Sequence, residues 1–501
     1  MILAVVGQKL AVQRTFIFLV FAGLFAFATR TASDPDLWWH LRTGQLIVET
    51  DAVPNVDPFS YSQLGQPWIS HEWLADLIIF GIYRVLHAAG LIVLFAAIAT
   101  IAFLFLYRRC DGKPRVAAAC VVLGAFACSP VLGVRPQMFS FLLASFLLWL
   151  LDRSSNSPRR LFWIPLIFLL WVNLHAGFAL GLAILLVFAI DSFAANRADR
   201  WRLYLAFGGS IVAVAANPNG FRMFSYPLEV LRSEAMQKQI AEWFSPNFHR
   251  VAYFPLMLLI FAALMTMPFV VPKPRLRDLA LLLCGLFAAL ISVRHIPIFV
   301  LVSVPVLSKA VTLLLSRQSF TKGRISSGSE PIRAGINLAV VSVALVVVLL
   351  RIAQVARETP SSELSAFPVR AANYLETHND HGNLFAFYDW GGYLIWRRFP
   401  DQKVYIDGRA DLYGDAILRQ FADTYTLRHQ WRRGLEQACT VLVPGNAPLA
   451  QGLLRNRDWS LAYSDDQSSV FRRQTAEMAS SCGPYITSTR KFHVQPVPKK
   501  D

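Results

Sequence analysis

Two aspartates, two tryptophans and a histidine share one short stretch, Ser33-Asp34-Pro35-Asp36-Leu37-Trp38-Trp39-His40, directly after the first apolar run. A positioned carboxylate can take a proton from an incoming hydroxyl, so Asp36 is a candidate general base and Asp34 a supporting carboxylate or metal ligand. Other polar groups recur at the ends of apolar runs: His71-Glu72, Arg135, Asn173 with His175, Glu242 beside Trp243, and Arg294-His295. Arg, protonated His or a divalent metal can stabilise a departing phosphate. A base and several cations gathered on one face would therefore suit transfer of a phosphate-linked group to a hydroxyl. The alternative is that outer loops are simply wet and polar. No nucleotide machinery accompanies these residues. There is no Walker loop, and "DWGGYL" (389–394) lacks the GxGxxG spacing.

The elements that must hold these groups are membrane helices. The chain has 501 residues, 55% hydrophobic and only 16% charged, with a mean hydropathy of +0.43. Apolar runs near 16–29, 90–107, 116–134, 137–151, 161–173, 177–190, 203–216, 252–271, 279–293, 296–315 and 334–350 make about eleven spans. The net charge of +16 does not point to nucleic acid, because the basic residues sit in short clusters between those runs: "RRCDGKPR", "RSSNSPRR", "NRADRWR", "KPRLR" and "SRQSFTKGR". With the N-terminus inside, every cluster falls on the cytoplasmic side and the C-terminus lies outside. Residues 72–88 read as an interfacial helix, with Trp73, Leu74, Leu77, Ile78, Val85 and Leu86 on one stripe, opposite Glu72, Asp76 and His87. Lys9 and Arg14 before the apolar run ending in Ala26-Phe27-Ala28 also fit a signal peptide.

Four regions follow: an N-terminal segment with the first span (1–29), a first outer loop (30–89), a helical membrane body (90–350) and an outer C-terminal domain (351–501). That domain reads as α/β, with strands at 383–388, 403–407, 440–444 and 459–464 and helices near 368–377, 415–427 and 447–455. In it, Gly391-Gly392 suit a strand-to-helix turn, and Asp407, Arg409 and Asp411 can pair among themselves. Of six cysteines, only Cys439 and Cys482 belong to this exported domain, where an oxidising environment would let them pair. The Trp38-Trp39 pair is either an interfacial anchor or an apolar platform for a sugar or isoprenoid.

The order of motifs in the first loop resembles that of GT-C membrane glycosyltransferases, in the protein mannosyltransferase and aminoarabinose transferase branch. The residues that carry the resemblance are Asp36, the helical "LWWHLRTGQLIVET", "VP" (53–54), "GQPW" (65–68), "HEWL" (71–74) and "IYRVLHAAG" (82–90). In detail it covers about residues 16–110, and in architecture 16–350. It implies a polytopic helical fold of about eleven transmembrane helices and an Asp at the reacting hydroxyl, matched by Asp36. His71 stands where the family usually has a lysine facing the lipid phosphate, and Glu72 replaces a proline. A neutral His is a poorer phosphate clamp. Either His71 is protonated, or Arg294 or Arg135 takes over, or a divalent metal sits among Asp36, His71 and Glu72. The expected substrates are a polyprenyl-phosphate-linked sugar and a glycan, lipid or protein acceptor, met at the outer face of the cytoplasmic membrane. His175, His295, Trp38 and Trp39 complete the candidate binding residues. Two rivals remain: a polysaccharide polymerase or ligase using arginines, and a transporter or flippase of lipid-linked sugars. A transporter should show internal repeats or polar groups near mid-membrane, and the sequence has no clear repeat.

Overall fold

The computed structural model describes residues 12–154, 157–195, 200–270, 275–317 and 330–474. Among them, each of the eleven apolar runs falls on a helix: α1 (Val12–Ala28), α3 (Trp73–Arg109), α4 (Pro114–Ala127), α5 (Gln137–Arg153), α6 (Ile164–Leu174), α7 (Phe178–Ala194), α8 (Arg200–Val214), α11 (Phe254–Thr266), α12 (Leu276–Ile291), α13 (Ile296–Arg317) and α14 (Glu330–Ala366). Four segments are long and apolar enough to cross a membrane: Trp73–Arg109, Val251–Phe269, Val293–Ser316 and Ala334–Ala366. Eight of the eleven helices have only 11 to 17 residues, short of the ~20 a bilayer requires, and of these α11 alone is extended by flanking 3-10 turns into one of the four long segments, Val251–Phe269. The eleven apolar runs are thus helical, and four segments among the described residues have full spanning length. The apolar run read as ending at 350 belongs to a helix that continues to Ala366.

Helix α3 carries two expected elements at once. It is broken at His87, whose φ of 51° is not helical, so an outer arm precedes the long apolar arm. On the outer arm Glu72, Ala75, Asp76 and Ile79 are buried, whereas Val85 and Leu86 are exposed. The expected stripe is split: Trp73, Leu74, Leu77 and Ile78 are half-buried, with Leu74 and Ile78 packed on the core, and on the expected polar side Glu72 and Asp76 are buried whereas His87 is exposed. Beneath it packs α2 (Leu37–Thr50), which starts at Asp36 and ends at Asp51 in the left-handed region. Two short helices, α9 (Arg222–Arg232) and α10 (Glu234–Gln239), follow α8.

The C-terminal domain holds α15 (Val369–Thr377), α16 (Gly391–Arg398), α17 (Ala410–Tyr425) and α18 (Pro448–Leu453) around a five-stranded sheet. Its strands β1 (Gly382–Ala386), β2 (Gln402–Val404), β3 (Thr440–Pro444), β4 (Trp459–Ser464) and β5 (Ser468–Arg473) run in the order β2-β1-β3-β5-β4. The first three are parallel, and β5 pairs antiparallel with both β3 and β4. Alternation splits the core. Leu384, Ala386, Leu442 and Val470 join the large core that continues into the membrane body. Phe385, Val441, Val443 and Phe471 face α17 and α18. The first outer loop closes the β2 edge: Val404 donates its N–H to the Phe59 carbonyl at 3.2 Å, and Tyr61 donates to the Val404 carbonyl at 2.9 Å. Cys439 is disulfide-bonded; its expected partner, Cys482, lies outside the described residues.

Candidate functional site

Asp36 stands at the N-terminus of α2, a position where an aspartate ordinarily caps the helix with its own side chain. Here it makes no such bond. Its Oδ1 instead accepts from Trp39 Nε1 at 3.3 Å, and the carboxylate faces a cavity of about 760 Å³. Asp34 does the local structural work. Its Oδ1 accepts the Asp36 N–H at 3.0 Å, and its Oδ2 lies 3.1 Å from Arg135 Nε. Burial and then the neighbouring Asp34 push the Asp36 carboxyl up to about 7. Arg135 also pairs with Glu242. That glutamate is positioned by the junction of α12 and α13, through Ser292 Oγ to the Glu242 carbonyl at 2.9 Å. At the same junction Arg294 lays its guanidinium 4.6 Å from the Trp243 ring. It makes no ion pair with the described residues and lines the cavity.

Farther along the cavity wall, Glu72 sits among three imidazoles. His71 Nε2 is 3.2 Å and His175 Nε2 3.5 Å from Oε1, and His40 Nε2 is 3.5 Å from Oε2. Burial pushes the Glu72 carboxyl up, but His71 and then His175 outweigh it and hold the group at about 2. His71 is raised: burial opposes its charge, and Glu72 more than compensates. His40, paired with Asp76 at 2.6 Å, is raised in the same way. Burial lowers His175 to about 4. Its Nδ1 accepts from the Gly177 N–H at 2.9 Å and lies 2.8 Å from Ser140 Oγ. The proton of the neutral ring is therefore on Nε2, facing Glu72.

The structure brings Asp34, Asp36, His71, Glu72, Arg135, His175, Arg294, His295 and Trp39 around this one cavity. Trp38 is not among the lining residues. It is 4% exposed and packs edge-on against Phe367 and Tyr393 at 5.7 and 5.0 Å. It is neither an interfacial anchor nor a ligand platform, because the C-terminal domain covers it. Trp39 is also buried and stacks on His40, with centroids 3.6 Å apart. The metal set Asp36, His71 and Glu72 is not assembled either. Asp36 turns to Trp39 while Glu72 is engaged by imidazoles, and no group of three or more His, Cys, Asp or Glu among the described residues is arranged to hold a metal ion. Asp407 and Arg409 do pair, at 2.7 Å, but Asp411 leaves them and bonds Tyr226.

The lining residues that sequence reasoning did not single out are the pair His40 and Asp76, and Tyr226; the C-terminal domain adds Tyr388, Asp389, Gly392, Gly408 and Asp411 from its two stretches densest in polar and aromatic residues, 388–396 and 405–415. Helical spacing was a signal for the first two. His40 follows Asp36, and Asp76 follows Glu72, by four residues, hence on the same helical face. For Tyr226 the sequence carries no such signal, since it lies far along the chain from His71 and Glu72.

No protein-family profile matches the sequence, and no curated protein matches it either. Solved structures do. The archaeal oligosaccharyltransferase AglB from Archaeoglobus fulgidus, in complex with an inhibitory peptide and a dolichol-phosphate, superposes with a TM-score of 0.53 at 13% identity, over 92% of this chain and 74% of that one. The fold is the GT-C fold. ArnT from Cupriavidus metallidurans, bound to undecaprenyl phosphate, gives 0.47 at 13% identity over 94% and 99% of the two chains. The mycobacterial arabinofuranosyltransferase AftD gives 0.48 at 14% over 92% and 42%. The architecture implied by the first-loop motifs is thus present, with its acidic residue facing the cavity.

Proposed function

We propose that the protein is a membrane glycosyltransferase that moves a sugar from a polyprenyl-phosphate donor to a hydroxyl-bearing acceptor at the outer face of the cytoplasmic membrane. The observation that carries this reading is the pairing, in one cavity, of a half-buried carboxylate raised to about 7 with Arg135 and Arg294 nearby. A general base works best when its pKa lies near the working pH, and burial beside Asp34 supplies that. Asp36 takes the proton of the acceptor hydroxyl as that oxygen attacks the anomeric carbon. The bond from that carbon to the phosphate oxygen breaks, and the departing phosphate carries the negative charge. Arg294, without a carboxylate partner among the described residues, receives it. Arg135 contributes to the same field while its ion pairs hold Asp34 and Glu242 in place. The dolichol-phosphate held by AglB, which shares the fold, is in keeping with a lipid-phosphate donor.

The decisive experiment is transfer of radiolabelled sugars from undecaprenyl or dolichyl phosphate by the purified protein. Asp36→Asn is nearly isosteric and cannot take the proton. It should melt like the wild type and transfer about 10² to 10⁴ times more slowly. Full transfer by a well-folded Asp36→Asn protein would refute the assignment.

All eleven apolar runs are assigned to the membrane, with the N-terminus inside and the C-terminal domain outside, on the strength of the basic clusters. A reporter active only outside the membrane should be on when fused after residue 360 and off when fused within 108–115. The reverse pattern would overturn the orientation.

A further inference from the structure

The C-terminal domain does more than roof the cavity. Two of its glycines touch the segment that carries Asp36. A Cβ on Gly408 would collide with Asp36 Oδ1, and one on Gly392 would stand 2.8 Å from the Pro35 carbonyl oxygen and 3.4 Å from Trp39 Cδ1. These glycines come from separate segments, the start of α16 and the loop before α17, and they converge on Pro35, Asp36 and Trp39 of one motif. The contact is fixed from behind. Arg409, next to Gly408, reaches across to Asp57 of the first outer loop at 2.8 Å and is itself held by Asp407 at 2.7 Å. Packed against α2, α16 keeps Gly392 over Pro35.

We infer that Gly408, with Gly392, is a positioning residue: the C-terminal domain sets where the Asp36 carboxylate stands by pressing bare backbone against it. The inference rests on the reading of Asp36 as the base. Its physical content is steric. The Trp39 indole and the Gly408 backbone both close on Asp36 Oδ1, so the carboxylate cannot swing toward the domain. Any side chain at 408 must push it out into the cavity, where it meets water. The groups facing Asp36 there are Asp34, His40, Arg135 and Glu242, with Tyr388 from the C-terminal domain.

The test is an infrared titration of the carboxyl band in purified, detergent-solubilised protein, with the Asp36→Asn spectrum subtracted to isolate Asp36. It needs no substrate, so it succeeds or fails independently of whether sugar transfer is found. In Gly408→Ala the midpoint should fall from about 7 by about one pH unit or more, toward the ordinary carboxylate range. Gly392→Ala should move it the same way by less, since its Cβ presses on Pro35 rather than on the carboxylate. Thermal melting checks folding, and if Gly408→Ala does not fold, Gly392→Ala is read in its place. In the transfer assay Gly408→Ala should lower kcat by about 10²-fold, the cost of a reacting group misplaced by about 1 Å, with the donor KM unchanged. An unmoved midpoint in a folded variant would overturn the inference. Inactive Asp36→Asn beside fully active Gly408→Ala would overturn it while leaving the base assignment intact. Active Asp36→Asn would remove both.

Discussion

Arg409 and Arg135 are both enclosed guanidiniums flanked by two carboxylates, yet their surroundings differ in one decisive way. The Arg409 side chain is 1% exposed, and its nitrogens are taken by Asp57 and Asp407. It lies over Trp68 and Phe59, with centroids 4.6 and 5.1 Å away. Tyr413 donates its hydroxyl proton to Asp407 and completes the set. Arg135 is 14% exposed, and its partner Glu242 31%. One cluster is buried and saturated. The other opens on a cavity beside an arginine, Arg294, that makes no ion pair with the described residues. Composition cannot separate the two, since both are Asp or Glu around Arg. Saturation does: a group whose partners are complete holds the fold, whereas one with spare capacity beside water can act on a ligand.

The sharpest break of this comparison removes the two arginines in turn. Arg409→Leu strands two buried carboxylates and should cost about 3–5 kcal/mol of stability, read as a large fall in melting temperature. It should also loosen the C-terminal domain from the first loop. Arg135→Leu leaves carboxylates that reach cavity water, so it should destabilise less and slow transfer more. Equal melting losses would erase the distinction. A smaller effect sharpens it. Because Asp36 is raised, its base form populates only as pH climbs through about 7. The kcat/KM profile should therefore rise about tenfold per pH unit below that point and flatten above it. Asp34→Asn removes one of the neighbours that raise Asp36, so the rising limb should move to lower pH. A limb that stays put would show that Asp34 does not act on Asp36.

Much of this architecture was legible in the residue order. Runs of apolar residues found the helices, because a helix in lipid must be apolar along its length, whatever its neighbours do. Period-two stretches found four strands of the sheet, but β5 was missed, since "SSVFRR" follows β4 too closely to stand out. The cluster of ionisable groups at helix ends also came from sequence, because charge is excluded from the bilayer core. Trp38 shows where such reading stops. A tryptophan pair at a membrane edge has the composition of an anchor, and only the packed C-terminal domain turns it into core.

The sequence by itself determined a helical membrane body, an α/β domain after it, and an acidic motif placed where the first helix meets water. These follow from local chemistry: hydropathy, alternation, and the cost of burying charge. Tertiary structure decided which carboxylate is spent on a turn and which faces the cavity, and that Glu72 is held by three imidazoles and not by a metal set. It also decided that glycines more than 350 residues downstream of Asp36 press on the motif. Such contacts arise when distant segments are brought together, and spacing along the chain carries no record of them.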